Sequence, residues 1–422
     1  MGVLPAAIFI LPFLPMKYKY WLISTLLFFT IASVIGFILR LAFVVELPEW
    51  FEYRNWQHAH SHLAMMGWLS SAFIALIIWQ FELKHPLFNR LFWACQAAVG
   101  VLLISFPIQG YGAISIIFSS IYLLGIYVLC YYLFQVINKK VEKGLSRLFL
   151  KTSLWFLIIS TLGIFGLGPI IAMGMKGSKL YYAAVQFFLH FQFNGWYVFA
   201  VLALSIEFFK NKGISFNTQI LYKGYIYLTI SCFLTYALAV SWSTPENFIF
   251  YTNSVGVILQ LIGLYFILKS FPKWPRIVKE VGQTFKSWIF KLAILSIILK
   301  VSIQTLVAIP SIAIISYTIR NFVIGFIHLL MLGGLSFFIL GGMKYLNMLS
   351  RRYPLSIFLL ALILTETLLF GQGILLWLRQ GFIPYYHEIL TACSLLFPVG
   401  IFMILLDFYK TTKESESYTN IN

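Results

Sequence analysis

The sequence predicts an all-α polytopic membrane protein built as a bundle of twelve transmembrane helices. Of its 422 residues, 61% are hydrophobic and only 10% are charged, and the mean hydropathy of +0.89 is far above that of water-soluble domains. A backbone in hydrocarbon must satisfy all its N–H and C=O groups internally, so long apolar runs without alternation predict helices rather than barrel strands. These observations exclude a water-soluble fold.

Twelve segments are long enough to span a bilayer, which takes about 20 apolar residues. They cover roughly residues 20–44, 57–80, 91–109, 112–137, 152–174, 180–208, 220–241, 248–268, 290–316, 321–342, 354–378 and 387–408. The membrane domain therefore extends over 17–410. Residues 1–16 are apolar but too short to cross, and we interpret them as a mis-start or an interfacial tail. Residues 411–422 are polar and predict a disordered cytoplasmic tail.

The net charge of +17 reflects topology rather than a nucleic-acid partner. Lysine and arginine lie in short loops between apolar runs, not on the basic face of a soluble domain. If the first span runs from inside to outside, most of the 30 basic residues fall in cytoplasmic segments. The positive-inside rule then predicts a bacterial-type inner (plasma) membrane protein, in contact with lipid and with both termini cytoplasmic.

Six of the seven histidines fall at one level of this topology. In the outer halves of spans that run from outside to inside lie His58, His60, His62, His190, His328 and His387. An imidazole in hydrocarbon needs a partner, so histidines within spans are functional candidates. The alternative is a plain hydrogen-bonding role between helices or in a loop, which suits His387 and the cytoplasmic-loop residue His85 best.

Spacing within the second span narrows the choice of residues for a haem site. His58 and His62 are one helical turn apart and share a face, whereas His60 points away from that face. A haem held between two helices takes an axial imidazole from each side. We therefore expect His58 or His62 to pair with His328, and we keep His60 as a further axial candidate.

Two glycines stand at the same distance from these histidines. Gly67 follows His62 by five residues, and Gly333 follows His328 by five. A planar haem needs small residues where its ring approaches the backbone, and the repeated H-x-x-x-x-G pattern meets that need. Small residues at this spacing also mediate ordinary helix packing, so the pattern supports both interpretations.

The tenth span resembles that of the haem-copper oxidase catalytic subunits and the nitric oxide reductases. In NFVIGFIHLLMLGGLSFFILGGMKY, His328 matches an axial ligand of their low-spin haem. Phe326 stands where a second histidine would bind the high-spin haem. The resemblance implies that His58, His60 or His62 supplies the other low-spin ligand.

The sixth span, in the stretch LHFQFNGWYVFA, is similar to a nitric oxide reductase pattern. His190 matches the histidine that holds the non-haem copper or iron, and Asn194 replaces an acidic residue. The seventh span lacks the adjacent histidines that complete this metal site. The resemblance thus implies a bis-histidine, b-type haem without an oxygen-reducing centre. The NnrS family of haem- and copper-associated membrane proteins is also similar, through an H-A-H opening like His58 and His60 and a late H-x-x-x-x-G.

Two ionisable residues lie in the middle of predicted spans. Lys300 in the ninth and Glu366 in the eleventh each cost roughly 2.5–3.5 kcal/mol on insertion scales if left alone. They are candidates for a buried ion pair or, together with Asn194, for a proton path. Two separately hydrogen-bonded residues are the plain alternative.

Three functions fit this sequence. The first is a haem-binding redox protein with an incomplete binuclear site, which performs electron transfer or nitric oxide chemistry at the outer face with an electron donor or a second redox subunit. The second is a non-enzymatic haem or copper or nitric-oxide-stress protein of NnrS type. The third is a proton-coupled transporter that uses Lys300 and Glu366. Whether the protein is an enzyme stays open at this point.

Overall fold

The computed structural model describes residues 16–271 and 288–419. In this part of the chain the regular elements are all helical, and twelve helices are long and apolar enough to cross a membrane. The predicted all-α, twelve-span bundle is confirmed. The proposed N-terminal tail, apart from the backbone of Met16, and much of the basic segment before span 9 lie outside the described residues.

The observed spans differ most from the predicted ones at the start of span 5, at the end of span 9 and at the end of span 12. Spans 1 to 12 are Tyr18–Leu41, Tyr53–Gln80, Leu87–Gln109, Ala113–Lys140, Leu145–Ala172, Lys179–Asn211, Thr218–Ser241, Asn247–Lys269, Trp288–Leu306, Arg320–Tyr345, Tyr353–Trp377 and Tyr386–Glu414. Span 9 ends ten residues before its predicted end because Pro310, which has no N–H to donate, begins a separate helix, Pro310–Thr318. The last helix, Leu396–Thr419, continues through 411–419, where composition predicted disorder. That stretch contains neither proline nor glycine to stop it.

The twelve spans form three units of four. In each unit the second span packs against the first and the third, and the fourth packs against the third. Span 4 contacts span 5, span 8 contacts span 9, and span 12 contacts span 1, which closes a ring. Spans 2, 6 and 10 are the most enclosed, with 83%, 61% and 61% of their apolar windows buried against 33–44% for the others. The second span of each unit therefore lies at the centre.

Each central span changes to π-helical geometry directly after a histidine. The π-helical segments are Leu63–Ser70, Phe191–Tyr197 and Leu329–Ser336, which follow His62, His190 and His328. Such segments are rare and are frequent at functional sites. Their hydrogen bonds reach one residue further than in an α-helix, so they shift the side chains that follow around the helix axis.

A glycine five residues after each of these histidines brings the preceding span close. A Cβ atom added to the glycine would lie too close to a neighbouring side chain in all three units. The contacts are Gly67 with Phe28 of span 1 at 2.8 Å, Gly195 with Phe156 of span 5 at 2.6 Å, and Gly333 with Ser296 of span 9 at 2.7 Å. These three contacts define equivalent positions in the three units. Gly195 follows His190 by the same five residues that separate Gly67 from His62 and Gly333 from His328. The sequence pattern was recognised only for the last two pairs.

Hydrogen bonds join the three central spans to one another. Trp68 of span 2 donates its indole N–H to the hydroxyl of Ser336 in span 10 at 2.9 Å. The hydroxyls of Ser70 in span 2 and Tyr197 in span 6 lie 2.9 Å apart. These buried bonds fix span 2 against both of its central neighbours, and thereby fix the histidines that precede them.

Candidate functional site

The six histidines that share one level do not form one cluster. Spans 2, 6, 10 and 12 begin at the same end of the bundle, which we call the histidine end. His60 of unit one and His328 of unit three interact electrostatically with each other. The other four histidines have separate neighbours. A shared level in the membrane therefore does not by itself bring these histidines together in one site.

His60 lies on the face of span 2 that packs on span 1. Its Nδ1 is 2.8 Å from the carbonyl oxygen of Ala32. A carbonyl only accepts hydrogen bonds, so Nδ1 carries the proton and Nε2 keeps a free lone pair. The ring lies directly against Gly36, where an added Cβ would be 2.8 Å from His60 Cε1. One nitrogen fixed on a carbonyl and the other free is the arrangement in which proteins hold a metal-ligating histidine.

His328 in span 10 has no hydrogen-bond partner for its enclosed Nδ1 among the described residues. It interacts electrostatically with Arg40 of span 1 and with His60. An imidazole that is enclosed and unpaired in the bilayer is unfavourable unless something binds it. We call the region bounded by His60, His328, Gly36 and Arg40 the first site.

Charged groups line the end of the first site. Arg40 interacts electrostatically with Arg320 and Glu366, and also with Tyr386. Both carboxyl oxygens of Glu366 are enclosed and lack a hydrogen-bond partner within the described residues. Its Oε2 would be 3.3 Å from a Cβ added to Gly325. Glu366 of span 11 therefore packs against span 10, about one helical turn before His328. Arg40 thus interacts electrostatically with both His328 and Glu366.

These residues fit a haem. Spans 2 and 10 each contribute an imidazole, a glycine of span 1 lies against one ring, and the Arg40 guanidinium is a group that could neutralise a carboxylate such as a haem propionate. Neither Gly36 nor Arg40 was identified from the sequence. Their spacing of one helical turn in an otherwise apolar first span is the signal that could have indicated them.

His58 and His62 face span 3 instead of span 10. The His62 ring lies 4.4 Å from that of Phe106, and the His58 ring lies 4.6 Å from that of Tyr111. His62 Nδ1 is 2.8 Å from the carbonyl oxygen of His58, its own preceding turn. The expected pairing of His58 or His62 with His328 stays a prediction, but the contacts of both residues turn them towards span 3, and His60 is the histidine of span 2 that interacts with His328. Spacing showed which residues share a face but not towards which neighbour that face turns.

Tyr111, in the loop between spans 3 and 4, closes the His58 and His62 side. Its hydroxyl is 3.5 Å from His62 Nε2. Burial raises the pKa of Tyr111 to about 12, so the phenol stays protonated and can donate to that nitrogen. This side of span 2 is an aromatic contact, separate from the first site.

His190 occupies a second site between units two and three. Its Nε2 is 2.7 Å from the carbonyl oxygen of Cys232 in span 7, so Nε2 carries the proton. Nδ1 faces the amide nitrogen of Asn194 at 3.3 Å. Lys300 of span 9 donates to Asn194 Oδ1 at 2.7 Å and to Gln304 Oε1 at 2.6 Å. Both nitrogens of His190 are used by the protein itself, which leaves none for the metal that the sequence predicted.

The suggested pairing of Lys300 with Glu366 is wrong. Lys300 binds the two amide oxygens of the second site, whereas Glu366 lies beside Arg40 in the first. The three candidate proton-path residues are thus divided, with Asn194 and Lys300 in one site and Glu366 in another. The sequence placed both ionisable groups in mid-span but contained no information on which spans touch.

The remaining two histidines have local roles. The ring of His387 stacks on Phe43 at 5.2 Å between centroids, in the aromatic layer at the histidine end. His85, at the opposite end, stacks on Tyr132 at 4.2 Å, and its Nδ1 accepts a hydrogen bond from the backbone N–H of Leu87 at 3.3 Å. Neither contributes to the first or the second site.

Across residues 16–271 and 288–419, no group of three or more histidine, cysteine, aspartate or glutamate side chains is placed to hold a metal ion. Comparisons with protein-family models and with curated proteins give no match to this sequence. The relationship to the haem-copper oxidases and nitric oxide reductases, or to the NnrS family, stays a prediction based on the residues quoted above.

Proposed function

We propose that this protein is an electron-transferring membrane haem protein, with one b-type haem between spans 2 and 10 and with His60 and His328 as axial ligands. One observation carries the proposal. His60 is oriented by the Ala32 carbonyl with its Nε2 free, beside a His328 imidazole whose enclosed Nδ1 has no partner in the described residues. Such a pair is built to receive a group from outside the polypeptide.

Two axial imidazoles favour electron transfer over reaction with a gas. When bound, the haem supplies reversible one-electron chemistry at its iron. If His60 and His328 fill both axial positions, no coordination position is open to oxygen or nitric oxide. Of the activities that the resemblance implies, electron transfer is therefore the one that these residues support.

The other residues of the first site have distinct tasks in this proposal. The Ala32 carbonyl fixes the His60 ring and makes its free nitrogen a better ligand. Gly36 has no side chain and so lets the His60 ring lie against span 1. Arg40 and Arg320 provide positive charge for the propionates, and Glu366 limits the net charge that they bring into the membrane.

The orientation follows from charge. The loops opposite the histidine end carry most of the basic residues, so the positive-inside rule places the histidine end outside and both termini in the cytoplasm. The haem would then lie near the outer face of a bacterial-type plasma membrane. An electron donor or a second redox subunit would exchange electrons with it there.

The absorption spectrum of detergent-purified protein tests this proposal. We expect the sharp Soret and α bands of a six-coordinate haem, and loss of these bands in His60→Ala and His328→Ala. His58→Ala and His62→Ala are matched controls from the same helix end and should keep the haem. A colourless, haem-free protein, or a variant pattern in which His62 and not His60 is required, would contradict it.

Transfer of haem to an acceptor separates electron transfer from haem handling. We expect the haem to stay bound when excess apomyoglobin is added and to be reduced quickly by a small-molecule reductant. Rapid movement of haem to apomyoglobin would favour the alternative of a non-enzymatic haem-handling protein.

A further inference from the structure

The second site is the pseudo-symmetric counterpart of the first. In the first site, His328 of unit three faces spans 1 and 2 of unit one. In the second, His190 of unit two binds Cys232 of span 7 and Asn194 of its own span, and Asn194 links it to Lys300 of span 9 in unit three. Both histidines occupy the same position, immediately before a π-helical segment and five residues before a glycine. The two sites can therefore be compared position by position.

The second histidine of the first site is replaced in the second. His60 lies two residues before His62 in span 2. The equivalent residue in span 10, two before His328, is Phe326, and its ring lies 5.7 Å from the Lys300 ammonium. The aromatic ring offers no ligand atom but does offer a face that attracts a cation.

The wall residues differ in size at equivalent positions. The contacts of Gly67 with Phe28 and of Gly333 with Ser296 align span 1 with span 9. One turn further on, Ala32 of span 1 corresponds to Lys300 of span 9. A second turn on, Gly36 corresponds to Gln304.

In the first site, small residues of span 1 therefore admit the His60 ring, whereas large polar side chains occupy the equivalent positions of the second. Lys300 is only 2% exposed and is held by two amide oxygens and one aromatic ring. Asn194, which accepts from Lys300, also contacts His190 Nδ1. A continuous series of polar contacts thus joins Cys232, His190, Asn194, Lys300 and Gln304.

We propose that Lys300 and its amide partners take the place of a cofactor in the second site, so that the chain binds a single haem. Lys300 is then the residue that determines haem stoichiometry, because it fills the volume and binds the groups that a second haem would need. This inference rests on the proposed haem at the first site.

The third equivalent position agrees with a single haem. Between units one and two, the residue two before His190 is Phe188, so the counterpart of His60 is again a phenylalanine. The counterpart of Ala32 is Ser160, whose hydroxyl accepts from the Gln192 amide at 2.9 Å. Only the first of the three sites combines two histidines with small wall residues.

Haem quantification tests the inference. The ratio of haem to polypeptide, from the pyridine haemochromogen and amino-acid analysis, should be one in the wild-type protein. A triple variant, Lys300→Ala with Gln304→Gly and Phe326→His, gives the second site the two histidines and the two small wall residues of the first, and its ratio should rise towards two. A wild-type ratio of two, or a folded triple variant that stays at one, would overturn the inference. A ratio of zero in the wild-type protein would instead contradict the proposed function.

His190→Ala provides a second test if the triple variant does not fold. Since both ring nitrogens of His190 bind protein groups, this variant should keep the whole wild-type haem content. Loss of haem from a folded His190→Ala protein, as judged by a monodisperse elution profile, would show that the second site holds haem and would overturn the inference.

Discussion

The first and second sites have the same architecture and opposite contents. In both, a histidine of a central span interacts, directly or through one intervening side chain, with a residue of the first span of the next unit. In the second, Lys300, Asn194 and Gln304 satisfy one another and His190. In the first, the enclosed Nδ1 of His328 and both oxygens of Glu366 have no hydrogen-bond partner within the described residues. A few side chains on a repeated backbone arrangement therefore decide whether the polar groups of a site satisfy one another.

The difference between the sites is also one of free energy. An enclosed polar group without a partner is unfavourable by about 1–3 kcal/mol, and the first site has several. Binding a haem would relieve part of this cost and would stabilise the folded protein by mass action. The second site has no such deficit at its histidine.

Filling the first site should have the largest effect. In Gly36→Leu the added side chain starts 2.8 Å from His60 Cε1, so the imidazole must move. We expect the purified variant to lose haem almost completely, by at least about tenfold, which corresponds to roughly 1.4 kcal/mol of lost affinity. Haem content per polypeptide is the measurement.

Gly100→Leu is the control for this change. Gly100 lies in span 3 with no atom within 4 Å of an added Cβ, so its haem content should match the wild type. Equal haem content in Gly36→Leu and Gly100→Leu would argue against a haem beside Gly36.

The sequence predicted the fold well because fold class depends on apolar length and hydrogen-bond satisfaction. The twelve spans and the shared level of His60 and His328 follow from counting along the chain. The neighbours of each histidine did not follow, because they depend on how span 2 is rotated about its axis and on which spans touch. For the same reason, the contacts of Gly36 with His60 and of Lys300 with Asn194 and Gln304 could not be predicted from spacing.

Removing the Lys300 ammonium from the second site should lower the stability of the folded protein and leave its haem content unchanged. Lys300→Met keeps the length of the side chain but removes the donor for Asn194 and Gln304, so we expect a loss of about 1–3 kcal/mol for each oxygen left unpaired. Thermal unfolding in detergent, followed by tryptophan fluorescence, measures this loss. Lys291→Met, at an exposed position of the same span, is the control and should change little. Haem loss from a folded Lys300→Met protein would contradict the separation of the two sites.

Weakening the contact between spans 2 and 10 should have a smaller effect. Ser336→Ala leaves the buried indole N–H of Trp68 without its acceptor, at a cost of about 1–2 kcal/mol. Ser120→Ala, whose exposed hydroxyl only bonds the backbone of its own helix, should cost close to zero. If the two variants unfold at the same temperature, the link between spans 2 and 10 contributes no measurable stability.

Changing the face of span 2 that carries His58 and His62 should have the smallest effect on the haem spectrum. His62→Gln alters a residue that contacts Phe106 and Tyr111, so the Soret and α bands should keep their positions and intensities. A shift of either band would indicate that His62 reaches the haem.

Near-infrared magnetic circular dichroism of the oxidised protein tests the central claim most directly, because its charge-transfer band depends on both axial ligands of a low-spin haem. The account predicts one haem with two imidazole ligands, and conversion of the whole signal to a histidine–methionine or five-coordinate form in His60→Met. A bis-imidazole signal that persists unchanged in His60→Met would contradict the assignment of His60 and with it the first site.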